Sequence, residues 1–255
     1  MVNLLAIIDA EGIVTKETKY GDTSRILTVV TKELGKISIL AGNVRKGKSG
    51  LLGATSLFSH SRFTLFKSGS SSLYKLNEGE LITSFAALRG SLEGMAFASY
   101  FCDVTNSVVQ EDMPEAEQTE LLLRSLYMLC REGADLEKIK AVFEFRTLTI
   151  SGLIPDLSAC GDCGADGELH YLSAMSGAVY CEKCHSPHTD AMAINDSILA
   201  AIAYISLAED KKIFSFNMSP SSTEYLSRLG EHCIEILLER KFKTLDYLRK
   251  VTSLG

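Results

Sequence analysis

Cys160-Gly161-Asp162-Cys163, then seventeen intervening residues, then Cys181-Glu182-Lys183-Cys184 set two Cys-x-x-Cys pairs at the separation of a four-thiolate metal site. Each two-residue knuckle lets both sulfurs reach one ion at about 2.3 Å, and the second pair completes a tetrahedron that one pair cannot. Four thiolates leave no open position for water or substrate. The expectation is therefore one structural zinc ion held by Cys160, Cys163, Cys181 and Cys184, whose binding energy, on the order of 10 kcal/mol, becomes folding energy. His170, His185 and His188 lie close enough in the chain to replace a cysteine, but four thiolates already fill the shell. A zinc deaminase would need a His or Cys two residues before a Glu, and a Pro directly before the second pair, and neither arrangement is present. The remaining cysteines, Cys102, Cys130 and Cys233, sit on apolar helical faces, where core packing is expected.

A second chemical signal is Gly42-Asn43-Val44-Arg45-Lys46-Gly47-Lys48-Ser49, which matches the phosphate-binding loop pattern letter for letter after an apolar strand. Such a loop opens a helix at its Lys-Ser step. Here Gly50-Leu51-Leu52-Gly53-Ala54 is poor helix material, and a strand-like run through Phe66 follows, so the preferred reading is a basic, glycine-flexed loop between two strands. Arg45, Lys46 and Lys48, with Arg25, Lys36, Arg62 and Lys67 on neighbouring strands, could track a phosphate backbone. Phe58, Phe63, Phe66 and Tyr74 are nearby aromatics on which bases could stack, although Phe63 and Phe66, an odd number apart, face opposite sides of a regular strand.

The elements that would carry these groups follow from the pattern. Candidate strands are 4–15, 24–31, 36–41, 54–66 and 71–77, rich in β-branched and aromatic residues and punctuated by glycines, which fits a small barrel. Helical spacing begins near Leu88 and runs to Val108, resumes after Pro114 towards Gly133, and covers Leu136 to Ser151. Leu169–Leu172 and Ala178–Tyr180 read as a hairpin turning at Met175-Ser176-Gly177. Beyond it, Ile194 to Leu207 is a helix, and Ser221 with Glu224 has the spacing of a reciprocal cap starting another. The fold class expected is α+β and multidomain: a barrel over 1–80, a helical domain over 81–157 and 191–255, and a four-cysteine zinc finger over 158–190 inserted between its parts.

Of 255 residues, 46% are hydrophobic and 23% charged, which excludes disordered and low-complexity chains. The apolar opening Met1 to Ile8 is too short for a membrane span, lacks a basic leader and meets Asp9 at once, so it is expected to be a first strand of a cytoplasmic protein. Seven cysteines, an odd count, argue against a disulfide framework in that setting. The net charge of −6 is unevenly spread: 1–80 carries 11 Lys and Arg against 7 Asp and Glu, and the remainder 15 against 25. A net of +4 followed by a net of −10 suggests a polyanion-binding module attached to an acidic body.

The chain resembles the RecO family of DNA recombination and repair mediators. The resemblance rests on Gly12-Ile13-Val14, on Tyr20-Gly21-Asp22-Thr23-Ser24-Arg25-Ile26-Leu27 with Thr31, and on Gly35-Lys36 leading into the basic loop. It continues through Phe143-Glu144-Phe145-Arg146, Gly152-Leu153-Ile154-Pro155-Asp156-Leu157 and Ser173 to Cys181. These stretches span most of the chain, and their order and spacing carry the match. The family's basic loop has a longer run of Arg and Lys; here Asn43 and Val44 dilute it. The resemblance implies an N-terminal OB-fold, a helical domain and a zinc finger. It also implies binding of single- and double-stranded DNA, strand annealing, and cooperation with RecR to load RecA onto DNA coated by single-strand-binding protein. The leading expectation is thus a non-enzymatic DNA-binding mediator. The rivals are a nucleotide hydrolase using Gly42 to Ser49 and a zinc-stabilised adaptor for proteins alone.

Overall fold

The computed structural model describes residues 6–22, 24–42, 49–67 and 72–253. The chain divides into two units, one formed by Met1–Glu132 together with Lys243–Gly255 and the other by Gly133–Phe242.

The first unit is built on five strands, β1 (Ala6–Tyr20), β2 (Ser24–Thr31), β3 (Gly35–Ala41), β4 (His60–Lys67) and β5 (Leu73–Thr83), closed into a barrel in the order β1-β2-β3-β5-β4. The β3–β5 pair is parallel and the other pairs are antiparallel, which is the OB-type arrangement. Alternation drives closure: Val14, Leu27, Val29, Ile37, Ile39, Phe63, Leu65 and Tyr74 all turn inward and form one core. β1 carries a bulge between Val14 and Lys16, so it continues past the barrel wall and pairs with β2 as far as Tyr20↔Ser24.

The β2–β3 hairpin turns through Gly35 at φ +62, with the Leu34 amide donating to Thr31 Oγ1 at 3.0 Å and that hydroxyl donating to the Gly35 carbonyl at 3.1 Å. Only glycine fits there, because a Cβ would come within 1.9 Å of the Met113 carbonyl oxygen as well as forcing the left-handed backbone.

Helix α1 (Ser49–Ala54) lies between β3 and β4, where the sequence pattern predicts loop. Leu51 and Ala54 both approach Gly79 of β5, whose missing side chain leaves room for the helix, and the Thr55 hydroxyl closes its end on the Leu51 carbonyl at 2.7 Å. Packing on the sheet overrides a weak propensity. The same unit contains α2 (Ala86–Arg89), α3 (Leu92–Val108) and α4 (Ala116–Leu129). The helical run expected from Leu88 is broken at Gly90, and Ser91 caps α3 by accepting from the Gly94 amide at 3.1 Å. Cys130, expected in a core, is exposed just past α4, whereas Cys102 is buried.

The second unit contains α5 (Leu136–Ile150), then a four-stranded sheet of β6 (Asp156–Cys160), β7 (Leu169–Ser173), β8 (Ala178–Cys181) and β9 (Met192–Ala193) in the order β6-β8-β7-β9. Helices α6 (Asp196–Leu207) and α7 (Pro220–Leu237) follow it. The cap of α7 is Ser219, not Ser221: its hydroxyl accepts from the Ser222 amide at 3.2 Å, and Pro220 takes the first helical position, where its fixed φ suits the helix and its absent N–H leaves nothing unpaired. α5 and α7 pack closely at Gly230, where a Cβ would sit 2.4 Å from Glu144 Oε2. In that interface Lys140 is 1% exposed, and its ammonium donates to Glu231 at 2.8 Å, Ser227 Oγ at 2.8 Å, the Ser227 carbonyl at 3.1 Å and Glu144 at 3.4 Å.

The chain returns to the first unit with α8 (Lys243–Thr252), which packs on α3 through buried Leu245 and Leu248 and a Thr244 hydroxyl bonded to Asp103 at 2.9 Å. Among the described residues no helix is long and apolar enough to cross a membrane.

Candidate metal centre and nucleic-acid face

The sheet of the second unit brings the two cysteine pairs together. β6 and β8 run parallel, so Cys160 and Cys181 end their strands at the same edge, and each strand then turns into its knuckle. The Gly164 amide closes the first turn on the Cys160 carbonyl at 2.9 Å and the Cys184 amide closes the second on the Cys181 carbonyl at 3.1 Å. The four sulfurs all lie within 4.8 Å of one another, with Cys163 and Cys181 at 3.9 Å. Four sulfurs at 2.3 Å around one ion in a tetrahedron stand about 3.8 Å apart, so this cluster could hold a single metal ion.

Its electrostatics favour a cation. Backbone amides of Cys163 and Cys181 aimed at the Cys160 sulfur hold that thiol down to about 6, whereas the neighbouring sulfurs push Cys184 up to about 12. Thiolates crowded together resist further ionisation, and a divalent ion removes that resistance and releases the protons.

The histidines take other roles. His185 stacks on Tyr171 with centroids 3.6 Å apart and rings 5° from parallel, and His188 stacks on Tyr180 at 3.7 Å. His188 Nε2 lies 3.2 Å from Asp162, and His185 Nδ1 lies 2.9 Å from the Glu182 carbonyl. These pairs brace the two knuckles from outside the sulfur cluster.

The sequence-predicted nucleic-acid residues are scattered. Arg45, Lys46 and Lys48 lie outside the described residues. Arg25 is paired to Glu17 at 2.7 Å, and the Lys36 ammonium donates to the Asn106 carbonyl at 2.8 Å. Arg62 stands on β4 between Glu11 at 3.1 Å and Glu80 at 3.2 Å, away from the β2–β3 hairpin that carries Arg25 and Lys36. Lys67 bonds the Tyr74 hydroxyl at 2.8 Å and Asp112 at 3.1 Å. The Tyr74 hydroxyl in turn donates to Asp112 at 2.7 Å, and that hydrogen bond is the chief reason the Asp112 carboxyl is held below its usual value.

Phe58, Phe63 and Tyr74 are sunk in the barrel unit, and Phe66 is half-buried. Sequence reasoning missed other groups. Lys16, Lys19 and Lys75 are exposed and have no carboxylate partner among the described residues, and Tyr20 is 54% exposed. The Tyr20-Gly21-Asp22 turn is the available signal: it marks a hairpin whose first strand must reach Tyr20. The Gly42 to Ser49 segment leaves a strand of a closed barrel, not of a doubly wound parallel sheet, and leads into α1.

An OB-type barrel, together with a helical unit that carries a four-cysteine cluster able to hold a metal ion, defines the fold class as α+β. Residues 5–85 match the family model of the recombination protein O N terminal and residues 89–246 that of the recombination protein O C terminal. The chain is 33% identical over 243 residues to the DNA repair protein RecO of Acetivibrio thermocellus, covering 95% of this chain and 96% of that one. It is 31% identical over 247 residues to the protein of the same name from Alkaliphilus metalliredigens, covering 96% and 100%, and 28% identical over 241 residues to that of Listeria monocytogenes, covering 94% and 93%. This chain belongs to the RecO family.

Proposed function

We propose that the chain is a DNA repair and recombination mediator that binds and anneals single-stranded DNA and, with RecR, helps load RecA onto DNA coated with single-strand-binding protein. The observation that carries the reading is the family match along both parts of the chain, joined to an N-terminal barrel of OB type. Annealing needs no bond chemistry from the protein. It needs two mutually repelling backbones neutralised on one surface, and the +4 balance of residues 1–80 supplies the sign. Arg45, Lys46 and Lys48 take phosphates, and Arg25, Lys36 and Arg62 join where phosphate displaces their internal partners. The cluster of Cys160, Cys163, Cys181 and Cys184 holds one zinc ion: an all-sulfur tetrahedral donor set suits zinc, and with every position filled its role is to fix the second unit. The acidic remainder of the chain serves protein partners.

Fluorescence anisotropy of a labelled single-stranded oligonucleotide across a salt series tests this. Affinity falls linearly in log salt, and the Arg45→Ala, Lys46→Ala, Lys48→Ala triple variant lowers the slope by about 2, at roughly 0.7 for each phosphate no longer neutralised. Absence of binding at low salt overturns the reading. ATP turnover abolished by Lys48→Ala would instead place the chain among nucleotide hydrolases, the reading favoured by the start of α1 at Ser49.

A further inference from the structure

We infer that Tyr20 is a base-stacking residue and that it gives the barrel a preference for single strands over duplex; this rests on the DNA-binding reading above. The strand register fixes where the ring stands. Leu27 and Val29 turn into the core, so Ser24, Ile26 and Thr28 turn outward, and the pairings Tyr20↔Ser24, Thr18↔Ile26 and Lys16↔Thr28 place Tyr20, Thr18 and Lys16 on the same outer face. On β3, Leu40 pairs with Ile26 and shares that face, and Lys75 of β5 lies beside Leu40. The result is an outward surface with half-buried Ile26 and Leu40 at its centre, exposed Lys16 and Lys75 along it, and the Tyr20 ring at one end.

Three observations set Tyr20 apart. Of the barrel's other large rings, Phe58 and Phe63 are fully buried, Tyr74 is 2% exposed and Phe66 is half-buried. Tyr20 is 54% exposed, and among the described residues its hydroxyl has no hydrogen-bond partner and its ring no aromatic neighbour. Finally, its position sets it close to the end of β3. Ser24, its cross-strand partner, reaches Gly42, where a Cβ would lie 4.0 Å from the Ser24 hydroxyl oxygen, and Gly42 is the last described residue before Arg45, Lys46 and Lys48. The ring and the end of β3 therefore share one end of the barrel, with Lys16 and Lys75 on the same outer face. Asp22 lies in the turn two residues beyond Tyr20, and Glu17, on the opposite face of the ribbon, is paired with Arg25 at 2.7 Å.

This juxtaposition suits an unpaired strand. Cations follow the phosphates, and a flat ring accepts the face of any base, so the site is tolerant of sequence but not of a duplex whose bases already stack on each other. Ring and charge are separable experimentally, because stacking alters affinity at every salt concentration whereas phosphate contacts set the salt slope.

The chain contains no Trp, so Tyr20→Trp installs a single indole fluorophore at the site. The full-length metal-loaded protein is titrated with oligo-dT and with the same backbone lacking bases. Expected are quenching of the introduced indole by oligo-dT but not by the abasic strand, and a Tyr20→Ala protein that binds oligo-dT about tenfold more weakly with an unchanged salt slope, within the range one stacked base supplies. Its affinity for the abasic strand and for duplex stays that of the parent. Parent binding to oligo-dT with Tyr20→Ala equally tight, or an unquenched indole in a complex seen by anisotropy, overturns the inference and leaves the DNA-binding reading standing. A parent that binds no oligonucleotide overturns both.

Discussion

Removing the ammonium of Lys140 tests how the second unit is held together. Lys140 is 1% exposed between α5 and α7, and it faces Glu144, whose side chain is 0% exposed, and Glu231, at 16%. Lys140→Met keeps an unbranched apolar stem one atom shorter and deletes the charge. Both carboxylates then lose the cation that offsets their desolvation, and breaking one member of such a buried set costs about 3–5 kcal/mol. With a urea slope of about 1.5 kcal/mol per molar for a unit of this size, the unfolding midpoint of the second unit falls by roughly 2–3 M. The double variant Lys140→Met, Glu144→Leu removes both buried charges and recovers most of the loss, since apolar replacement of a buried pair is often neutral. Urea titration followed by far-UV circular dichroism measures both. A Lys140→Met midpoint within about 0.5 M of the parent would refute the reasoning.

Other outcomes are expected on the same footing. Gly35→Ala places a Cβ 1.9 Å from the Met113 carbonyl at a φ of +62, and should lower the stability of the barrel unit by more than about 2 kcal/mol in thermal unfolding while leaving metal content unchanged. Asp112→Asn should lower the melting temperature at pH 7. The folded carboxyl is depressed, so its contribution is complete above the ordinary Asp value of 3.8 and fades as pH falls through the folded value; parent and variant should therefore converge below pH 3.8, and a constant gap counts against the Tyr74 contact. Titration of the thiols with a mercurial should release one equivalent of divalent metal per chain, with Cys163→Ser purifying metal-depleted; intact metal content in that variant would remove Cys163 from the ligand set.

Much of the fold is readable from residues alone because its signals are local. The range 24–31 matches β2 because Ile26, Thr28, Val29, Val30 and Thr31 crowd β-branched residues between a turn and a hairpin, and the two cysteine pairs announce their own geometry by spacing. The pattern ends β1 at 15 whereas the strand runs to Tyr20, because the bulge at Val14/Lys16 breaks the alternation and the charged residues beyond it look like loop. The same break hides Tyr20, Lys16 and Lys19 from a reading of the sequence. α1 leaves little trace because its support is the bare backbone of Gly79 on a distant strand, and α8 because Leu245 and Leu248 are too few to establish a period. Internal pairing of Arg25, Lys36 and Arg62 is likewise tertiary: neither Glu11 nor Asn106 is marked by anything near the cation it meets.

The return of the chain through α8 has a consequence for biosynthesis. The barrel unit contains residues from both sides of Gly133–Phe242, so α3 waits for its partner until Leu245 and Leu248 have been made. The cysteine-bearing unit, by contrast, is contiguous and can finish folding on the ribosome first, since domains fold as their residues emerge. Order of completion is thus inverted relative to order of synthesis. A nascent chain stalled before α8 would carry a folded cysteine-bearing unit and a barrel unit still lacking its last helix, and C-terminal nicking would be felt by the N-terminal half of the molecule.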